Sequence, residues 1–219
     1  MNGMREIITK HPVIAILRKV PQERVADYVG SIVNGGVRAF EISLNTPDGL
    51  QQIAGLKERY GDQVLIGAGT VLTAAAARDA LSAGAQFLLS PSADVEVLEF
   101  CAREGVCLLP GVYTPTEVSS CLRYGFDTLK LFPAGNAGDG YVKNLQGPFD
   151  QAQFVAIGGV NRSNALHFLE EGCIGVGLGS NLLPKDAAAA GDWERCSQAV
   201  RELAEAVREF LEGKEKAGK

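Results

Sequence analysis

The chain has 219 residues, 46% hydrophobic and 21% charged, with a formal net charge of −5. That is enough to bury a large core, and the signs are too mixed along the chain for a basic nucleic-acid stripe. The apolar run near the start, Val13 to Leu17, is too short for a signal-peptide core or a membrane span, so the sequence reads as cytoplasmic with no nucleic-acid or membrane partner.

Taken in chain order, the first strand, Val13 to Leu17, follows His11-Pro12. Thereafter helix-like stretches end in glycine and run directly into aliphatic segments, at Gly36, Gly61, Gly84, Gly105, Gly125 and Gly172. Glycine takes the left-handed conformation that ends a helix, so each marks a helix-to-strand corner. The first five are spaced 25, 23, 21 and 20 residues apart, one strand plus one helix, and the last gap of 47 is two such units. The missing corner is placed at Gly147-Pro148, before Phe154 to Ile157. Eight strands, each followed by a helical segment, favour a closed (β/α)8 TIM barrel over an open doubly wound sheet. An open sheet stays possible, but Arg18-Lys-Val-Pro stands after the first strand in place of a dinucleotide-binding G-x-G-x-x-G. No linker divides the chain, so residues 1–219 are expected to form one domain, with the charged tail 212–219 frayed.

The chemistry of such a barrel sits at the C-terminal ends of its strands. Lys130 lies between leucines in Thr128-Leu-Lys-Leu131 and points inward by alternation. A buried amine is either ion-paired or kept partly neutral as a nucleophile, which is Schiff-base chemistry. In Ala39 to Leu44 the large residues Phe40, Ile42 and Leu44 share one face, which leaves Glu41 and Ser43 inward. Arg18 ends the first strand in phase with Ile14 and Ile16, and Thr70 follows Ile66-Gly-Ala-Gly in phase with Ile66 and Ala68. The alternative is an ion pair from Glu41 to Lys130 or Arg18 that only braces the barrel.

Two glycine loops, Ile157-Gly-Gly-Val160 and Gly175-Val-Gly-Leu-Gly-Ser180, follow the seventh and eighth strands. Each is expected just before a helix N-terminus, a phosphate site common in this fold. His11 sits at the wrong end for catalysis and His167 in a helix, so neither is read as catalytic; Lys143 reads as a solvated lysine, and Lys185 and Asp186 as a surface turn. Cys101, Cys107, Cys121, Cys173 and Cys196 are scattered with no C-x-x-C pair and no nearby histidine, which gives no zinc site and no disulfide framework.

Gly35-Gly-Val-Arg-Ala-Phe-Glu-Ile-Ser-Leu44, Ile66-Gly-Ala-Gly-Thr-Val71, Ser90-Pro91, Leu129-Lys-Leu-Phe-Pro-Ala134 and Gly158-Gly159 resemble the motifs of the 2-keto-3-deoxy-6-phosphogluconate aldolases and their phosphogalactonate relatives. The resemblance runs over nearly the whole chain. It implies that Lys130 forms a Schiff base with a phosphorylated keto sugar acid and that Glu41 shuttles protons. It also implies that Thr70 and Arg18 meet the substrate near its carboxylate and hydroxyls, that Pro91 walls the pyruvate pocket, and that Gly158, Gly159, Gly179 and Ser180 hold the phosphate. The family is a (β/α)8 barrel, commonly a homotrimer, and needs no metal or organic cofactor. Where the phosphogluconate enzymes usually carry arginine four residues after the glutamate, this chain has Asn45. Ser43-Leu-Asn-Thr-Pro47 looks more like the phosphogalactonate branch, whereas the region Gly191-Asp-Trp193 looks more like the phosphogluconate branch. Two rivals need different residues or none: a metal-and-histidine epimerase or isomerase, and a non-catalytic phospho-ligand sensor.

Overall fold

All six glycine corners carry positive φ, from +54° at Gly61 to +114° at Gly172, in the computed structural model, which describes residues 3–217. The corner placed at Gly147 is different: its φ is −51°, and the chain turns through Pro148 to Gln151 instead.

Between these corners run nine parallel strand segments: β1 (Val13–Leu17), β2 (Ala39–Ser43), β3 (Leu65–Gly69), β4 (Phe87–Leu89), β5 (Leu108–Leu109), β6 (Gly111–Val112), β7 (Thr128–Leu131), β8 (Gln153–Ile157) and β9 (Gly175–Leu178). Their lateral order is β5-β4-β3-β2-β1-β9-β8-β7-β6. The two ends of that order are halves of one stave. The carbonyls of Cys107 and Leu109 accept from Leu88 and Ser90 on one side, and those of Pro110 and Val112 accept from Lys130 and Phe132 on the other. Pro110 has no N–H to donate, so the ladder breaks there while the chain continues. The eight expected strands are therefore eight staves of a (β/α)8 barrel in a single domain.

The helices are α1 (Met4–Lys10), α2 (Gln22–Asn34), α3 (Gly49–Tyr60), α4 (Ala74–Ser82), α5 (Val95–Glu104), α6 (Pro115–Arg123), α7 (Tyr141–Gln146), α8 (Ala165–Glu170), α9 (Lys185–Ala190) and α10 (Trp193–Ala217). Lys185 and Asp186, expected in a surface turn, open α9, and Asp186 accepts from Arg195 at 2.6 Å. Helix α10 covers residues 212–217 of the tail expected to fray, and Lys214 donates to the Leu169 carbonyl at 2.7 Å; residues 218–219 of that tail lie outside the described residues.

Strand alternation separates two apolar regions. Phe40, Ile42, Ile66, Leu88, Leu129, Leu131 and Phe154 face the helices, whereas Ile14, Ile16, Phe87, Leu89, Leu109, Val155 and Ile157 fill the barrel. Helix α1 closes the bottom by sending Met4 and Ile8 into that inner cluster. Small inward residues make room for large ones: a Cβ on Gly67 would lie 2.5 Å from the Phe87 ring, and one on Gly177 would lie 2.7 Å from Ile157. Caps stiffen the loops above the strands, since Thr73 and Asp94 accept the N–H groups of Ala76 and Val97, and Thr114 with Glu117 forms a capping box on α6.

Candidate active site

The apolar filling gives way to polar groups towards the C-terminal ends of the strands. Glu41, in the middle of β2, is 0% exposed and registers with Ile16 on β1 and Gly67 on β3. Its carboxylate occupies space that a side chain at Gly69 would need, with Oε1 1.7 Å from where that Cβ would stand. Among the described residues, neither carboxylate oxygen of Glu41 has a hydrogen-bond partner. A buried, unsatisfied carboxylate typically costs a few kcal/mol, about 1–3 or more, and native structures rarely keep one without a use.

Lys130 on β7 is 2% exposed and registers with Gly111 on β6 and Val155 on β8. Burial pushes its amine below the ordinary lysine value; the Glu41 charge pulls it back up, and Arg18 adds to the lowering. The two barrel-spanning groups thus sense each other's charge without a hydrogen bond between them. A bracing ion pair would have satisfied the carboxylate. Nζ of Lys130 lies 4.9 Å from the centroid of the Phe132 ring. The same ring stands 2.8 Å from where a Cβ on Gly158 would be, so Phe132 bridges the amine and the loop after β8.

Thr70 reaches the mouth by a route that alternation misses. Its phase partners Ile66 and Ala68 face the helices, so a straight strand would send Thr70 outward too. At φ +60° the backbone turns left-handed instead, an uncommon conformation for a β-branched residue. There its hydroxyl lies 2.7 Å from that of Ser43, which also donates to Oδ1 of Asn45 at 2.7 Å. Lys19, also left-handed, is held by Thr46, whose hydroxyl accepts its N–H at 3.0 Å. That turn carries Arg18, which is exposed at the rim.

Pro91 follows the buried Ser90 at the end of β4, and its carbonyl lies 2.3 Å from where a Cβ on Gly111 would be. Pro91, Gly111 and Lys130 therefore occupy successive positions around the rim. Gly158 and Gly159 sit at φ +85° and +81°, and Gly135 donates its N–H to the Gly158 carbonyl at 2.7 Å. These glycines do not abut a helix start as expected. A polar turn intervenes, in which the Asn164 side chain accepts from the Asn161 N–H and donates to the Gly159 carbonyl, and α8 starts only at Ala165. Likewise Gly179 and Ser180 lead into a turn closed by Leu182 N–H to Gly179, and α9 starts only at Lys185. Any anion here would be held by loop backbone rather than by a helix end.

Ser43 and Phe132 are two positions that the structure places against these groups and that sequence reasoning left without a role. Ser43 carried a signal, as the third inward residue of β2 after Ala39 and Glu41. Phe132 carried only its place in the motif Leu129-Lys-Leu-Phe-Pro-Ala134, which gave it no role of its own. The residues set aside lie apart from the mouth: His11 joins α1 to β1, His167 is 3.2 Å from Asp139, and the exposed Lys143 is 3.8 Å from Glu171. A recess of about 470 Å³ opens at the opposite face, but its Arg38 and Arg201 are spent on carbonyls ending α2 and in the segment after it. Among the described residues no group of three or more His, Cys, Asp or Glu is placed to hold a metal ion, and no helix is long and apolar enough to cross a membrane.

Residues 4–199 match the model of the KDPG and KHG aldolases. The chain is 36% identical over 206 residues to the 2-dehydro-3-deoxy-6-phosphogalactonate aldolase of Escherichia coli K12, covering 93% of this chain and 98% of that one. It is 32% identical over 211 residues to the KHG/KDPG aldolase of the same organism, covering 94% and 97%. Among solved structures, the KDPG aldolase of Legionella pneumophila, with pyruvate captured at low pH as a covalent carbinolamine, superposes with a TM-score of 0.84 at 29% identity, over 92% of this chain and 98% of that one.

Proposed function

The chain belongs to the KDPG and KHG aldolase family, and from that premise we propose that Lys130 and Glu41 carry a Schiff-base cleavage of a six-carbon 2-keto-3-deoxy-6-phospho sugar acid. The products are pyruvate and glyceraldehyde 3-phosphate. The observation that carries this reading is the pairing of a buried amine held below its ordinary pKa with a buried carboxylate that has no partner among the described residues.

The neutral amine of Lys130 attacks the C2 carbonyl, and the carbinolamine takes up a proton from solvent and loses water to leave a protonated imine. Glu41 takes the proton of the C4 hydroxyl. The C3–C4 bond then breaks, C4 becomes the aldehyde, and its electron pair enters the imine as an enamine. Glu41 returns the proton to C3, and water hydrolyses the resulting protonated imine to free pyruvate and the neutral amine, with the imine proton released to solvent. Arg18 and Thr70 hold the carboxylate end, Pro91 walls the pyruvate methyl, and Asn45 meets the distal hydroxyls. Backbone of Gly158, Gly159, Gly179 and Ser180 holds the phosphate. No metal or organic cofactor is required by these steps. The same site accommodates 4-hydroxy-2-oxoglutarate, whose second carboxylate would take the place of the phosphorylated end. We assign the protein to the cytoplasm and, from the family likeness, to a homotrimer.

Borohydride reduction in the presence of pyruvate tests the assignment. A secondary amine mapped to Lys130 is expected, and an adduct on Lys19 or Lys143, or none, would refute it. Glu41→Gln should still trap pyruvate while cleavage slows by ~10²–10⁴.

A further inference from the structure

Ser43 has one hydroxyl proton and two hydrogen-bond neighbours, Oδ1 of Asn45 and Oγ1 of Thr70, each at 2.7 Å. While it donates to Asn45 it can only accept from Thr70. The chain then runs Thr70 to Ser43 to Asn45, and the Thr70 hydroxyl has no proton left for a ligand. Ser43 is fully buried, so no solvent offers it a second partner and the choice between the two directions is sharp.

We infer that Ser43 is a positioning residue that couples the pyruvate end of the site to the distal end by reversing this chain. The inference rests on the reading above, in which Thr70 meets the substrate carboxylate and Asn45 the distal hydroxyls. A carboxylate accepts only, so Thr70 must turn its proton towards it. Ser43 then donates to Thr70 and withdraws its proton from Asn45. The Asn45 amide keeps its hydrogen bond to Ser43 in that arrangement only by turning over, so that Nδ2 donates to Ser43 and Oδ1 faces the substrate. Asn45, exposed at the rim, thereby presents a donor in the free enzyme and an acceptor once the carboxylate is bound. An amide is the one side chain of this size that serves both directions.

The test is the pyruvate dependence of borohydride trapping on Lys130 in four proteins. Asn45→Asp replaces the amide with an acceptor, which holds the Ser43 proton and keeps Thr70 pointing away from the ligand. Its half-saturating pyruvate concentration should rise about tenfold or more, the range of one hydrogen bond to a charged group. Adding Ser43→Ala to Asn45→Asp should restore near-native saturation, because Thr70 is released even though the aspartate charge remains. Adding Ser43→Thr instead, which keeps the hydroxyl, should leave saturation weak. If neither double variant recovers, the aspartate acts by charge repulsion and the coupling is wrong; if both recover, the hydroxyl is not the link. Should Ser43→Ala disturb folding, Ser43→Cys, a weak donor of similar size, should give partial recovery, and no recovery in it counts against the coupling. Absence of trapping in the native protein would refute the Schiff-base reading instead.

Discussion

The Lys130 amine is held low chiefly by burial, against the opposing pull of Glu41. Between that lowered value and the ordinary 10.5 the unfolded chain holds a proton that the folded protein lacks, so this site's contribution to stability rises with pH across that window. At neutral pH the buried amine therefore comes at some expense to the fold. Lys130→Met should abolish imine trapping and stabilise the barrel at pH 7 by about 0.5–2 kcal/mol, roughly 1–8 °C in thermal midpoint, with the advantage shrinking as pH rises. Scanning calorimetry across pH checks this, and a midpoint unchanged or lowered at pH 7 would contradict it. Asn45 bears on the choice of substrate. It is shorter than arginine and neutral, and it offers either a donor or an acceptor, so it constrains a sugar hydroxyl less tightly than a bidentate guanidinium. Both C4 epimers should be cleaved, and Asn45→Arg should widen the ratio of their kcat/KM values. A native enzyme that already rejects one epimer by more than about a thousandfold, roughly 4 kcal/mol, would end that idea.

At the level of strands, the inner face alternates between glycine and bulk, and the same substitution should act differently at two heights. Gly69→Ala would drive a methyl into the Glu41 carboxylate, and Gly177→Ala would press on Ile157 and Ile16 beneath the site. Overpacking typically costs about 1–3 kcal/mol in either case. Only Gly69→Ala should also slow cleavage by about a hundredfold or more, because it displaces Glu41, the proposed proton shuttle. Urea midpoints and turnover measured together separate the two; equal losses of activity would mean that Glu41 is not where the reaction is governed. These strands were legible because burial enforces period-two alternation, which set Glu41, Ser43 and Lys130 inward directly from the residue pattern. Thr70 was assigned to the mouth from the wrong phase, since its left-handed turn depends on contacts with β2 that no local pattern encodes. The helix starts after β8 and β9 were set too early for a related reason. Asn161 and Asn164 build a turn from side-chain hydrogen bonds, and such a turn competes with helix on nearly equal terms in sequence.

For the molecule as a whole, glycine spacing pointed to eight repeats because six of the corners need positive φ and neighbouring ones lie 20 to 25 residues apart; the corner before β8, where Gly147 is at φ −51°, had to be inferred from the double-length gap. The broken fifth stave was invisible to that count: Pro110 interrupts hydrogen bonding but not the path of the chain. Assembly is the remaining large-scale property, and the surface bears on it. Three large apolar side chains stand out, Leu50 at 39% exposure, Leu72 at 53% and Val95 at 50%. They occupy the loops and first turns after β2, β3 and β4, three successive units on the mouth side of the barrel. Single exposed apolar residues need no explanation, but several confined to one sector suggest a contact surface. A contact there between unlike patches of identical chains closes into a ring when the rotation is one third of a turn. For a 23.2 kDa chain the trimer would have a mass of about 70 kDa. Sedimentation equilibrium should find that mass at micromolar protein, and the double variant Leu72→Glu, Val95→Glu should fall to the single-chain mass, because each carboxylate would lose hydration on docking. Both positions lie outside the proposed chemistry, so the dissociated chains should still trap pyruvate on Lys130. A native protein that sediments as a single chain, or a double variant that stays at the larger mass, would remove this sector from the interface.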